Sequence, residues 1–263
     1  HTGTPEETAV ARVAAVALRG LHAKAELAAA SAADDPEIRA TVAAAAAKPE
    51  DLCARLKDPW PIVRAAAARG LATQGEGAAC IVGALQDRDV SVRAAALQTC
   101  GLAGVKAAVP ALRALAGDAA APVPMRADAV VALGRLNETE PARRILSTHL
   151  AKGGIVPLAE AAVSALAAVD TPESREALHK ALASQNGSVV AGAALALAAF
   201  GDQTARPEIE QARKRVDARH RFPVDAALRR LGAATAPTAG EDPGAPSPDT
   251  GDTGPDPADS DPE

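Results

Sequence analysis

The chain has 263 residues, 48% of them apolar and 1% aromatic, with a formal net charge of −5. Alanine dominates, Leu and Val follow, and Trp60, Phe200 and Phe222 are the whole aromatic content, a composition that favours closely packed helices and excludes a sheet built on β-branched and aromatic side chains. No uninterrupted apolar run of about 18 residues occurs, which excludes a membrane-spanning helix.

In chain order, the first expected helix covers 5–20, where Val10, Val13, Ala14, Ala17, Leu18 and Leu21 fall at helical spacing. A motif then recurs. Asp35-Pro-Glu-Ile-Arg-Ala40 is its short form. Leu56-Lys-Asp-Pro-Trp-Pro-Ile-Val-Arg-Ala-Ala-Ala67 and Leu85-Gln-Asp-Arg-Asp-Val-Ser-Val-Arg-Ala-Ala-Ala96 carry the Leu, the Asp, the Val-Arg and the Ala triplet at identical offsets. Pro124-Met-Arg-Ala-Asp-Ala-Val-Val-Ala-Leu-Gly134 continues it, and fainter copies begin at Pro157, Val189 and Pro223. The arginine slot falls at Arg39, Arg64, Arg93 and Arg126, then at Ala159, Ala191 and Val224, with intervals of 25 to 33 residues. That period suits two helices and two turns, the signature of a helical solenoid.

Each marked helix follows a starter such as Asp58-Pro59, Asp87, Pro122 or Asn186-Gly187-Ser188, because short polar side chains cap free N–H groups and proline fits a first turn. Most end near a glycine, among them Gly70, Gly104, Gly201 and Gly232. Between them the expected partner helices cover roughly 22–31, 50–57, 76–86, 105–117, 140–151, 172–184 and 204–219. From Ala233 large apolar side chains vanish, and 235–263 is expected to be a disordered tail beyond a solenoid at 1–234. From Pro237 onward there are eight carboxylates and no Lys or Arg, so the body holds 28 basic against 25 acidic residues, a formal +3. A body so nearly neutral argues against a general nucleic-acid binder.

Cys53, Cys80 and Cys100 are too few for a stapled scaffold, and buried free thiols are the favoured expectation, with a single bridge, Cys53 to Cys80, as the alternative. The chain opens on His1; a removed leader would make the protein an exported one, the expectation slightly preferred over a cytoplasmic protein.

The Leu-x-Asp-x-x-x-x-Val-Arg-x-x-Ala pattern, near-complete at Asp58/Val63/Arg64 and Asp87/Val92/Arg93 and partial at Asp35/Arg39 and Asp118/Arg126, resembles HEAT repeats, especially the short bacterial variety also seen in phycobiliprotein lyases. The resemblance covers roughly 5–234. It implies an all-α, right-handed α-α superhelix of about six to seven hairpins, inner helices lining a concave surface, and a ladder of Asp and Arg running from repeat to repeat. That ladder would use Asp35, Arg39, Asp58, Arg64, Asp87, Arg93, Asp118 and Arg126, and it thins beyond Arg126, where the Arg is lost.

Nothing in the sequence organises catalysis. His1, His22, His149, His179 and His220 stand singly, with no CxxC, no HxxxH, no nucleophile elbow and no phosphate loop. No catalytic, cofactor or metal residue is therefore expected. Trp60, between two prolines, either packs on a neighbouring hairpin or anchors a partner. Arg213, Lys214, Arg215, Arg219 and Arg221 form the densest basic cluster, which is either the solvated end of one helix or a site for an acidic partner. The resulting expectation is a monomeric, non-enzymatic scaffold for a protein or peptide, without nucleic acid or membrane insertion. Its rivals are a lyase or chaperone subunit acting on a cofactor-bearing protein and a structural spacer of the cell envelope.

Overall fold

The structure is a computed structural model and describes residues 34–45 and 48–233. The helices expected at 5–20 and 22–31 and the tail at 235–263 lie outside the described residues. Among those described there is no strand. The helices are α1 (Pro36–Ala45), α2 (Pro49–Arg55), α3 (Pro61–Gly70), α4 (Val90–Leu102), α5 (Val109–Gly117), α6 (Val123–Arg135), α7 (Glu140–Lys152), α8 (Val156–Ala167), α9 (Pro172–Ala181), α10 (Gly187–Ala199), α11 (Arg206–Arg213) and α12 (Ala218–Ala233). A 3₁₀ segment, Gly75–Gln86, stands between α3 and α4.

Two rows result. The inner row stacks α1, α3, α4, α6, α8, α10 and α12, each on the one before it. The outer row holds α2, the 3₁₀ segment, α5, α7, α9 and α11, and the whole is an α-α solenoid of helical hairpins. Prolines in the first turn set many of the starts, among them Pro49, Pro61, Pro141 and Pro172. Side chains cap others: Asp89 accepts from Ser91, Thr171 from Ser174, and Asn186 from both Ser188 and Val189. Gly104 and Gly201 end α4 and α10 in the left-handed region, at φ 72° and 68°. The amide after each glycine donates back to Cys100 and Leu197, both at 3.0 Å. Asn137, the non-glycine with positive φ among the described residues, plays the same part after α6.

Between the rows runs a seam of large aliphatic side chains, about one from each helix. Leu52, Ile81, Leu112, Leu146, Leu178 and Ile209 come from the outer row, Leu97, Leu133, Leu166, Leu197 and Leu231 from the inner, and all are fully buried. Each short helix is marginal alone and gains stability by burying this residue against both neighbours. Within the inner row the contacts are made by Ala and Gly, so backbones come close: a Cβ added at Gly134 would lie 2.5 Å from Ala165 Cα.

The structure departs from the sequence expectations at two places. Residues 75–86 wind as a 3₁₀ helix, in a stretch where Gly75, Gly77 and Gly83 lower α-helix propensity. The partner helix expected over 204–219 stops at Arg213, and α12 starts at Ala218, five residues before Pro223. Asp217 makes that break by accepting the His220 amide at 3.2 Å. As expected, α3 ends on Gly70, and Gly232 is one residue short of the end of α12.

Candidate partner-binding surface

The repeated Asp and Arg stand where the outer row turns into the inner one. Arg39 donates to Asp58 through Nε at 3.0 Å and through Nη2 at 3.3 Å. Arg64 grips Asp87 with two bonds of 2.8 Å. The remaining guanidinium nitrogen turns back to the arginine's own loop, Arg64 to the Asp58 and Pro59 carbonyls and Arg39 to that of Asp34. Each arginine thus closes its own turn and clasps the next one. The Asp58 and Asp87 carboxylates also accept the amides of Trp60 and Asp89. Burial works against the Asp58 carboxylate, yet its bonds to Arg39 and Trp60 hold it below the usual range. At Asp87 the bond to Arg64 is the main cause of a lowered value, and it raises Arg64 in turn.

Arg93 keeps the backward half of the arrangement, donating to the carbonyls of Asp87 at 2.7 Å and Arg88 at 3.2 Å. It makes no ion pair with Asp118 among the described residues, and Asp118 instead accepts the Ala120 amide at 2.9 Å. Eight residues separate Asp118 from Arg126 where six separate Asp58 from Arg64. The longer turn leaves Arg126 to the Ala116 carbonyl at 3.3 Å. Asp35 accepts the Glu37 amide at 2.7 Å at the start of α1.

Residues 49–134 match the family model for HEAT repeats. The likeness to HEAT repeats holds over that stretch. No curated protein matches it. Among solved structures, the complex of CpcE and CpcF of phycocyanin lyase from Nostoc sp. PCC7120 is similar at 21% identity over 78% of this chain and 93% of that one, with a TM-score of 0.48. A designed armadillo repeat protein is similar at 18% identity over 70% of this chain and 99% of that one, with a TM-score of 0.43.

At the same edge of the array, just before or within the first turn of the inner helices, large apolar side chains face solvent. Trp60 is 52% exposed, and Ile62, Val90 and Ile155 lie open as well. Measured from the arginine slot, these four occupy the second to fourth preceding positions, and Pro122, Pro124 and Pro157 are exposed at the same register. The result is an apolar ridge one residue or two wide over the slots from Arg64 to Ala159, absent at the Arg39 and Ala191 slots. The sequence reading singled out Trp60 and missed its companions, because the slot just ahead of a helix belongs to neither the buried face nor the cap. Counting back from the arginine slot would have found them.

The basic cluster is divided between two helices and a turn. Arg213, ending α11, pairs with Asp225; Arg215 donates to the Leu182 carbonyl at 2.7 Å; Arg219 pairs with Asp217 at 3.0 Å. Lys214 and Arg221 are exposed and have no ion-pair partner among the described residues. The cluster is therefore an end face of the solenoid, where Asp225 and Asp217 answer two of the five positive charges.

Cys53 of α2 and Cys80 of the 3₁₀ segment are bonded, with Cα atoms 5.8 Å apart, inside the range a bridge needs. This corrects the expectation of free thiols there: the two outer elements lie side by side, and the bridge ties them. Cys100 is free and buried, and burial pushes its thiol up to about 12. Further along the outer row His179 is held between Asp202 at 3.1 Å and Glu208 at 3.0 Å, each on a different ring nitrogen. The imidazole separates the two carboxylates, and among the described residues no three such side chains converge on a metal position. Between α7 and α9 the outer row opens into a groove of about 560 Å³, floored by Leu146, Leu150 and Ala177 and rimmed by Arg143, Glu176 and Lys180.

Proposed function

We propose that the protein is a non-enzymatic scaffold that holds a protein or peptide partner along the apolar ridge headed by Trp60. The observation that carries this reading is the recurrence of exposed Trp60, Ile62, Val90 and Ile155 at one register of a stacked array. Exposed large apolar side chains scatter singly on ordinary surfaces; a row of them, led by a half-exposed tryptophan, is the composition of an interface anchor. The array beneath supplies preorganisation, because Asp58 and Asp87 clasp the loops that present Trp60 and Val90. A partner engaging the ridge then orders little of the scaffold, which conserves affinity. The free thiol is buried and protonated at neutral pH, so it lacks the thiolate that nucleophilic chemistry requires.

The test is capture from the native host with the full chain and with the Trp60→Ser, Ile62→Ser double variant, quantified by mass spectrometry. A protein retained by the first and reduced at least tenfold with the second supports the reading. Equal capture by both, or none by either at modest salt, contradicts it.

A further inference from the structure

The last described helix of the inner row is α12; among the described residues no repeat follows it, and it carries Arg219, Arg221, Arg229 and Arg230 in the open. With Arg213, Lys214 and Arg215 from the preceding turn, seven positive side chains stand against Asp217 and Asp225 between 213 and 230. In their midst Phe222 is 74% exposed, with the Arg229 guanidinium 5.8 Å from its ring centroid. A solenoid needs a polar terminal face for solubility; an open aromatic bracketed by arginines is more than that requirement asks.

The chain leaves α12 at this face. Beyond Ala233 it continues for 30 residues that hold eight carboxylates, no basic group and the prolines Pro237, Pro243, Pro246, Pro248, Pro255, Pro257 and Pro262. The first acidic residue, Glu241, lies eight residues past Ala233, a reach of up to about 27 Å. The 16 residues of α12 span about 24 Å. The carboxylates can therefore return along the whole helix, and the tether keeps their local concentration in roughly the millimolar range. Extended proline-rich chain packs on aromatic side chains, and carboxylates pair with guanidinium groups.

We propose that the acidic segment 241–263 docks in cis on the basic end face of α12, with Phe222 as the apolar anchor and Arg221, Arg229 and Arg230 as its charge partners. Docked, it screens the basic face from other acidic chains and covers the exposed ring. Each exposed pair contributes little, so the contact is salt-labile.

Salt gives the test a sign. A free polyanionic chain contracts as salt screens its self-repulsion, whereas a docked one is released and expands. Small-angle scattering of the full chain between 20 mM and 500 mM NaCl should show the maximum dimension rising by on the order of 10 Å, given the size of a released chain of this length. The full-length Phe222→Ser, Arg221→Gln, Arg229→Gln, Arg230→Gln variant changes only exposed side chains and should reverse the trend to a contraction. Contraction or no change in the native chain overturns the proposal, and so does a variant that still expands. The ridge at Trp60 is at a distance in the chain and plays no part, so neither result bears on the proposed partner.

Discussion

Helices α3 and α4 and helices α6, α8 and α10 build the same two-row architecture with different chemistry. In the first region, bidentate arginine–aspartate clasps cross from turn to turn, Arg39 to Asp58 and Arg64 to Asp87, and a disulfide joins the outer elements. In the second, no such clasp crosses the inner turns. Backbones instead approach through Gly134, Ala165 and Gly192, Asn186 caps a helix, and the polar ties shift to the outer row at Arg175, His179 and Asp202. What both share is the seam of buried aliphatic side chains, with Val63 in α3 and leucines in α4, α6, α8 and α10. Aliphatic burial specifies the solenoid, and the polar ties specify where its turns are held.

The largest expected effect separates the two regions. The Arg64 side chain is 6% exposed and Asp87 13%, so Asp87→Ala leaves a buried guanidinium half-answered and should lower stability in urea by about 3 kcal/mol. Asp118→Ala, at the corresponding turn of the later region, removes an exposed cap on Ala120 and should cost about 0.5 kcal/mol. Equal losses would erase the distinction. Reducing the Cys53–Cys80 bridge, which closes a loop of 27 residues, should cost roughly 3 kcal/mol by loop entropy. Protection against hydrogen exchange should fall over 49–86 and hold over 156–199.

Gly134→Ala tests the later region in the same way. A Cβ there meets backbone atoms of α8, Ala165 Cα at 2.5 Å and its carbonyl oxygen at 2.7 Å, and should cost about 1–3 kcal/mol by overpacking. Gly83→Ala, where an added Cβ touches nothing within 4 Å, serves as control.

The smallest effect is a pH dependence. Burial opposes the charged form of His179, but its hydrogen bonds to the Glu208 and Asp202 carboxylates outweigh it and raise its pKa above 6.5. A raised value means the folded state holds the proton more tightly. The contribution is therefore complete below about pH 6.5 and lost as pH rises through the folded value. Unfolding in urea from pH 6 to 9 should show stability declining across that window, with a flatter profile for His179→Gln.

The architecture was legible because its signal is redundant. Leu97, Leu133, Leu166 and Leu197 recur with the repeat, and every start carries a cap or a proline, so a lost motif residue does not hide the period. The turn chemistry was legible only where spacing is conserved within the chain; the two extra residues before Arg126 broke it, and no pattern of residue types discloses that a guanidinium will fall short. The bridge was undervalued because outer elements adjacent in space lie 27 residues apart in sequence. The ridge was missed beyond Trp60 since Ile62, Val90 and Ile155 look, one at a time, like core residues. The break before α12 rests on a single carboxylate, Asp217, inside a stretch that reads as continuous helix.

Hydrogen exchange followed by mass spectrometry on the native chain and on Asp87→Ala tests the central claim, one stack held by two chemistries, most directly. Protection should fall by at least tenfold across 61–102 while 156–199 keeps its native pattern. Loss spread evenly over both regions, or none in either, would contradict it.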